Sequence, residues 1–335
     1  MKDERELTVQ FRPSGHRIKV IPGQTVLEAV LAQGYRMPHA CDNGVCHICS
    51  ATVLDGELEK DALVNVMRCG KAQVLLCRAR PAGDCEFELN ALWGPNELET
   101  KKLAMQVKSI ESLSADIYRV ILLAPAGQNP EFFAGQYLQL LIPGLDSAFF
   151  SIANAPGSRE IELHIQVHSD QQSAVTILNY LRDNPVVKAM LPLGNSYLAS
   201  VPDTDVILVA AGTGFSQMKS LAEYLLANEY SGQITLYWGV RQREEMYLRQ
   251  WVETWANETS QLTFVPVSAD NKDNEWPGHH AELVREVLAK GHQWANSLVF
   301  VSGSPTMVYT ALDALGPSGL PEHQFFSDVL EYAPR

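Results

Sequence analysis

Three cysteines, Cys41, Cys46 and Cys49, stand at C-x4-C-x2-C spacing in the stretch Pro38-His39-Ala40-Cys41-Asp42-Asn43-Gly44-Val45-Cys46-His47-Ile48-Cys49, and Cys77 follows after 27 intervening residues. So short a loop lets three sulfurs and several backbone N–H groups converge on one point, and Gly44 permits the turn that the wrap needs. This is the plant-type spacing for a [2Fe–2S] cluster, four thiolates on two irons. Zinc is the rival metal, but zinc sites usually pair two short C-x2-C or C-x2-H hooks, and here the second hook is missing. Cys69 and Cys85 lie outside the pattern and read as ordinary free thiols. His47 sits between two ligands; it reads as a solvated side chain, or as a donor toward a cluster sulfide or a partner-contact residue.

At 335 residues the chain is too long for one ordinary core, so two or three domains are expected. A composition 46% hydrophobic and 19% charged is that of a foldable globular protein. The opening MKDERELTVQ has no apolar signal segment and no apolar run is long enough to span a bilayer, so a cytoplasmic protein is expected, with its cysteines on metal rather than in disulfides. The net charge of −13 falls almost entirely after residue 94. A nucleic-acid binder shows the opposite balance; the acidity is read as solubility.

Leu7–Phe11 and Arg17–Ile21 alternate around a Pro-Ser-Gly turn, which signals a hairpin. Thr25 and Gly34 are the candidate caps of a helix that opens Val26–Leu31. After the cysteine loop, short strands are expected at Ala51–Leu54, Glu57–Leu58, Gln73–Leu76 and Glu86–Leu89, which makes a β-grasp-like unit. Trp93-Gly94-Pro95-Asn96 and the charged run to Lys102 read as a linker. Strands at 104–110, 117–123, 137–142, 149–153 and 160–167, with one helix near 173–181, suggest an antiparallel barrel. Beyond Pro202, strands at 206–211, 233–240, 262–267, 297–301 and 325–330 alternate with helices at about 215–227, 245–256, 281–288 and 306–315, the pattern of a doubly wound parallel sheet. The fold class is therefore multidomain, α+β and α/β, with expected domains at 5–93, 99–201 and 202–335.

Two further motifs carry chemistry. In Ala148-Phe149-Phe150-Ser151, an aromatic followed by serine on a barrel strand can support a flat ring with Phe150 and bond its edge with Ser151; the alternative is two core phenylalanines. In Val209-Ala210-Ala211-Gly212-Thr213-Gly214-Phe215-Ser216, a glycine turn between a buried strand and a helix frees N–H groups for a pyrophosphate, or is a packing turn. Tyr237-Trp238-Gly239-Val240-Arg241 and Val301-Ser302-Gly303-Ser304-Pro305-Thr306-Met307 end later strands, where such sheets place the ligand crevice.

Together these residues resemble the ferredoxin–NADP reductase superfamily, and more closely bacterial oxygenase reductases and CDP-6-deoxy-glucoseen reductases with an N-terminal plant-type ferredoxin domain. The resemblance implies a β-grasp ferredoxin domain, a flavin-binding barrel and a nicotinamide-binding domain. Phe150, Ser151 and Ser173 then contact flavin, and Gly212, Thr213, Gly214, Ser216, Gly303 and Met307 contact NADH or NADPH. Ser151 and Ser302 stand at the hydride-transfer site, and Cys41, Cys46, Cys49 and Cys77 hold the cluster. Arg241 and Arg243 are candidates for a 2′-phosphate, or are simply solvated. Two positions depart from the family. Ala148 replaces an arginine that contacts flavin phosphate, and Asp170-Gln171-Gln172-Ser173 replaces Gly-x-x-Ser. A lost charge-assisted bond is worth about 1–3 kcal/mol, so FMN or a loosely held flavin stands beside FAD as an expectation. The implied enzyme passes electrons from NAD(P)H through flavin to the cluster, and on to an oxygenase or deoxysugar dehydratase. Alternatives are a flavin reductase that releases free reduced flavin, and a non-catalytic redox sensor.

Overall fold

The computed structural model describes residues 6–59, 66–68, 71–145, 148–168, 171–269 and 276–335. It divides into two compact units, Met1–Glu99 and Thr100–Arg335. Cys69 and Asp170 lie outside the described residues.

Alternation decides the first unit. In β1 (Leu7–Arg12) and β2 (Arg17–Val20), Val9, Phe11, Ile18 and Val20 all turn inward and are fully buried. Helix α1 (Val26–Ala32) starts at a reciprocal cap: the Thr25 hydroxyl accepts from Glu28 N and the Glu28 carboxylate accepts from Thr25 N. Gln33 caps its end, and Gly34 follows with φ +77°. Strands β3 (Ser50–Asp55), β4 (Val66–Arg68), β5 (Lys71–Leu75) and β6 (Cys85–Glu88) complete a sheet of order β2-β1-β6-β3-β5-β4, in which only β1 and β6 run parallel. The strand expected at Glu57–Leu58 is no more than a bridge between Leu58 and Pro81, and β4 has no counterpart in the sequence reading.

The second unit opens with six antiparallel strands: β7 (Lys101–Ser112), β8 (Ile117–Leu123), β9 (Tyr137–Leu141), β10 (Phe149–Ser151), β11 (Glu160–Gln166) and β12 (Val186–Leu193). Their order is β10-β9-β12-β7-β8-β11. The ends nearly close into a barrel, for Ala153 N just past β10 donates to Glu162 O on β11 at 2.8 Å. Helix α2 (Gln172–Asp183) buries Ile177 and Leu181 against the barrel core. The sequence reading lacks β12, which pairs with both β7 and β9; Pro192 and a bulge between Met190 and Leu193 mask its pattern.

A parallel sheet follows, of order β15-β14-β13-β16-β17, from β13 (Asp205–Ala211), β14 (Ile234–Val240), β15 (Leu262–Ser268), β16 (Ser297–Ser302) and β17 (Phe325–Phe326). Helices α3 (Phe215–Ala227) and α4 (Arg249–Glu258) share one core with it, and α5 (Trp276–Ala289) and α6 (Pro305–Leu315) share the other. The strand expected over 325–330 stops at Phe326. The chain there turns through Ser327 and Asp328 into the short helix α7 (Val329–Tyr332), because Asp328 is tied to backbone elsewhere. Among the described residues no helix is long and apolar enough to cross a membrane.

Candidate functional site

The cysteine loop is built from unusual backbone. Asp42 (φ 52°), Gly44 (φ 88°) and His47 (φ 59°) all lie in the left-handed region, where a non-glycine residue is strained. Such reversals turn successive amides to one side. Cys46 N donates to Cys41 Sγ at 3.2 Å, and the backbone amides of Cys46 and Asn43 pull the Cys41 thiol down to about 6. Cys49 and Cys77 are buried at 2% and 6% exposure. They are close enough that, after burial, the Cys49 thiol is the next cause pushing Cys77 up to about 12. The strand leading to Cys77 is fixed on both sides, since Leu76 N donates to Cys49 O and Leu76 O accepts from Leu27 N of α1. Among the described residues no three His, Cys, Asp or Glu side chains are arranged around a single ion. A two-iron cluster makes a different demand, two thiolates on each iron. Amides aimed at a sulfur and thiols that perturb one another suit that group.

In the second unit a cavity of about 410 Å³ brings together Phe150 and Ser151 of β10 with Ser302 and Gly303 at the end of β16. Its remaining wall includes Tyr137, Phe149, Gln217, Asp328 and Tyr332. The strand alternates: Ala148 is fully buried in the barrel core and Phe150 packs against that core, whereas Phe149 is 50% exposed. Tyr137 meets the Phe149 ring edge-on, with centroids 6.0 Å apart. Flat rings together with hydroxyl, amide and carboxylate groups suit a flavin ring. Asp328 and Tyr332 carry no signal in the sequence, Tyr137 is expected there only as a strand residue, and Phe149, a core residue in one of the two readings of its motif, is instead half-exposed at this wall. Asp328 is the most constrained of them: Oδ1 accepts from Asn195 N and Ser196 N, each at 3.1 Å, and Oδ2 from Gln217 Nε2 at 2.9 Å. Burial pushes it up to about 6 against the pull of those bonds.

The Gly212-Thr213-Gly214 turn is a single 3-10 turn leading into α3. A Cβ on Gly214 would lie 2.3 Å from Ser302 O, so only glycine lets the turn close on β16. A smaller cavity of about 80 Å³ at the strand ends is lined by Gly212, Gly239, Arg241, Glu245 and His280, among others. Arg241 is paired there: its guanidinium lies 3.0 Å from Glu245 Oε1 and its backbone N donates to Glu245 Oε2. Ser216 and Met307 are buried at 2% and 0%, in the first turns of α3 and α6. Ser173 is exposed at the start of α2 and is not among the residues lining the larger cavity.

Comparison with known proteins agrees with this architecture. Residues 9–82 match the 2Fe-2S iron-sulfur cluster binding domain, and residues 208–313 the oxidoreductase NAD-binding domain. The chain is 30% identical over 333 residues to the reductase component of phenol 2-monooxygenase from Pseudomonas sp. (strain CF600), covering 96% of this chain and 93% of that one. It is 28% identical over 316 residues to reductase component 2 of terephthalate 1,2-dioxygenase from Comamonas sp. (93% and 94% covered). It is also 27% identical over 326 residues to the CDP-6-deoxy-L-threo-D-glycero-4-hexulose-3-dehydrase reductase of Yersinia pestis (96% and 98%). Among solved structures, an Amycolatopsis cytochrome P450 reductase superposes with a TM-score of 0.61 at 26% identity, covering 96% of this chain and 98% of that one. The chain belongs to the family of iron–sulfur flavoprotein reductase components, oxidoreductases that take electrons from NAD(P)H. Its cofactors are a [2Fe–2S] cluster, a flavin and a nicotinamide dinucleotide.

Proposed function

We propose that this chain is an NADH-dependent reductase that delivers single electrons to an oxygenase component. Ferredoxin, flavin and nicotinamide functions are assigned to residues 5–93, 99–201 and 202–335. The observation that carries the reading is the shared cavity: Phe150 and Ser151 from the barrel face Ser302 and Gly303 from the parallel sheet across about 410 Å³. A hydride donor and a flat acceptor need this juxtaposition. The cofactors supply the redox chemistry, a two-electron hydride divided into single electrons. The protein positions them. Ser151 and Ser302 offer hydroxyls at the place of transfer, the Gly212–Gly214 turn offers backbone N–H groups to the dinucleotide, and Cys41, Cys46, Cys49 and Cys77 offer thiolates to the irons.

Two of the relatives above are named as reductase components of oxygenases and one as a dehydrase reductase, which favours an oxygenase as the acceptor. Anaerobic addition of NADH to the purified protein should reduce flavin and then cluster, seen by visible and electron paramagnetic resonance spectra. Reduction that stops at the flavin would sink the proposal. A second reading, release of free reduced flavin, is favoured by one observation: Ala148 is buried in the barrel core where the family carries a phosphate-binding arginine. Retention of one flavin per chain through gel filtration would exclude it.

The Arg241–Glu245 pair supports NADH over NADPH. A 2′-phosphate approaching Arg241 also meets the Glu245 carboxylate, which already neutralises the guanidinium. Glu245→Ala is expected to raise kcat/KM for NADPH about tenfold and to leave that for NADH within about threefold. Steady-state kinetics with both dinucleotides checks this; an unchanged preference would remove Glu245 from the specificity argument.

A further inference from the structure

Trp238, towards the end of β14, is fully buried, yet its indole N–H is not spent on its own strand. Nε1 donates to Gly212 O at 2.9 Å, across to the glycine turn. The same carbonyl accepts from Phe215 N within the turn, so both of its lone pairs are engaged. The indole ring stacks on Phe215, 4.0 Å between centroids and 10° from parallel, and Tyr247 meets it edge-on at 5.2 Å. Tyr247 in turn is anchored to the barrel, its hydroxyl 2.9 Å from His164 Nδ1 on β11. His164 Nε2 lies 2.8 Å from Glu162 Oε1; a carboxylate only accepts, so that nitrogen carries the proton and Nδ1 accepts from Tyr247. Glu162 Oε2 is held by Lys219 Nζ at 3.3 Å.

A trans peptide is planar, with its C=O and the following N–H pointing in opposite directions. With Gly212 O drawn inward by the indole, Thr213 N–H points outward. The first N–H groups of a helical turn have no partner within that turn. Gly212 itself has φ +55° and lines the crevice at the strand ends. We propose that Trp238 is a positioning residue for the nicotinamide dinucleotide: its indole N–H fixes the Gly212–Thr213 peptide plane so that the Thr213 N–H is presented to the anionic part of NADH. The aromatic column of Phe215, Tyr247 and His164 keeps the indole from turning away. This inference rests on the reading of Gly212–Gly214 as the dinucleotide turn.

The test compares native holoprotein with two variants. Trp238→Phe keeps a ring on Phe215 and removes the donor. Trp238→β-(3-benzothienyl)alanine keeps the shape of the indole, with sulfur in place of the ring N–H, and decides the matter where phenylalanine impairs folding. In both, KM for NADH and the inhibition constant for NAD+ are expected to rise together about tenfold, equivalent to about 1.4 kcal/mol. The expected kcat is within twofold of native, and flavin and iron contents are unchanged. A benzothienyl variant whose KM and inhibition constant stay within twofold of native, whatever its melting temperature, overturns the proposal and leaves Trp238 a packing residue. Native protein whose rate does not saturate with NADH removes the dinucleotide reading of the turn itself, a failure distinct from the first.

Discussion

Cys49→Ser is expected to abolish reduction of cytochrome c by NADH, by at least about 100-fold, while NADH:ferricyanide turnover stays within about twofold. Cys49 is the least exposed of the four cysteines, and its carbonyl accepts from Leu76 N beside Cys77. A serine oxygen is a harder, less readily ionised ligand than a thiolate, so the site loses iron rather than exchanging one ligand for another. Iron content and the visible spectrum measure the loss of the cluster directly. Ferricyanide, small and strongly oxidising, takes electrons from flavin and serves as the internal control. Undiminished cytochrome c reduction in an iron-free variant would remove the cluster from the electron path.

The second large effect concerns the wall of the flavin cavity. Asp328→Asn is expected to lower the flavin retained after gel filtration at least tenfold. The native carboxylate accepts three hydrogen bonds, and one donor, Gln217 Nε2, also serves Gly135 O at 2.7 Å and Ser196 O at 3.2 Å. That amide cannot turn over to suit an asparagine NH2. Two donors would face each other, at a cost of about 1–3 kcal/mol. The segment so loosened carries Ser327, Val329 and Tyr332 into the cavity. The same residue sets a pH dependence. Its folded-state pKa, about 6, lies above the ordinary 3.8, so folding favours the protonated form. The stabilisation is whole below about pH 4 and is lost as pH rises through 6. Each pH unit of displacement is worth about 1.4 kcal/mol, so native protein should lose roughly 2 kcal/mol relative to Asp328→Asn between pH 4 and 7. Melting temperatures of the two proteins across that range report it, and a constant difference would place the titration elsewhere.

These residues differ in how far sequence reveals them. The four cysteines were legible because ligand spacing on one loop is a local property. So was the Thr25 cap, whose partner Glu28 is three residues away. The Gly212 turn and the strand–helix alternation around it are likewise written in short windows. Asp328 was not legible: it works through Asn195, Ser196 and Gln217, more than a hundred residues upstream, and its own window alternates like a strand. Tyr137 and Tyr332 come to one cavity from barrel and C-terminus. Phe149 and Phe150 could be told apart only by knowing which face of β10 meets the core. Strand β12 was hidden by Pro192, whose missing donor a bulge tolerates.

The ties around Lys219 bear on how such reductases can be recombined. Its ammonium meets Glu162 on the barrel, Ala153 O and Glu223, while Ser220 donates to Asn154 O and Gln217 to Gly135 O. Burial alone would raise Glu162, but the His164 bond and the Lys219 charge hold it at about 2. Breaking a buried pair by removing one partner costs about 3–5 kcal/mol. A chimera that grafts a foreign nucleotide-binding half at residue 202 therefore inherits an unpaired charge unless the lysine and its carboxylates travel together. Exchange at Glu99/Thr100, between compact units, breaks none of these bonds. A graft made at that boundary carries the lysine and its carboxylates together, so the hydride-handling half moves whole.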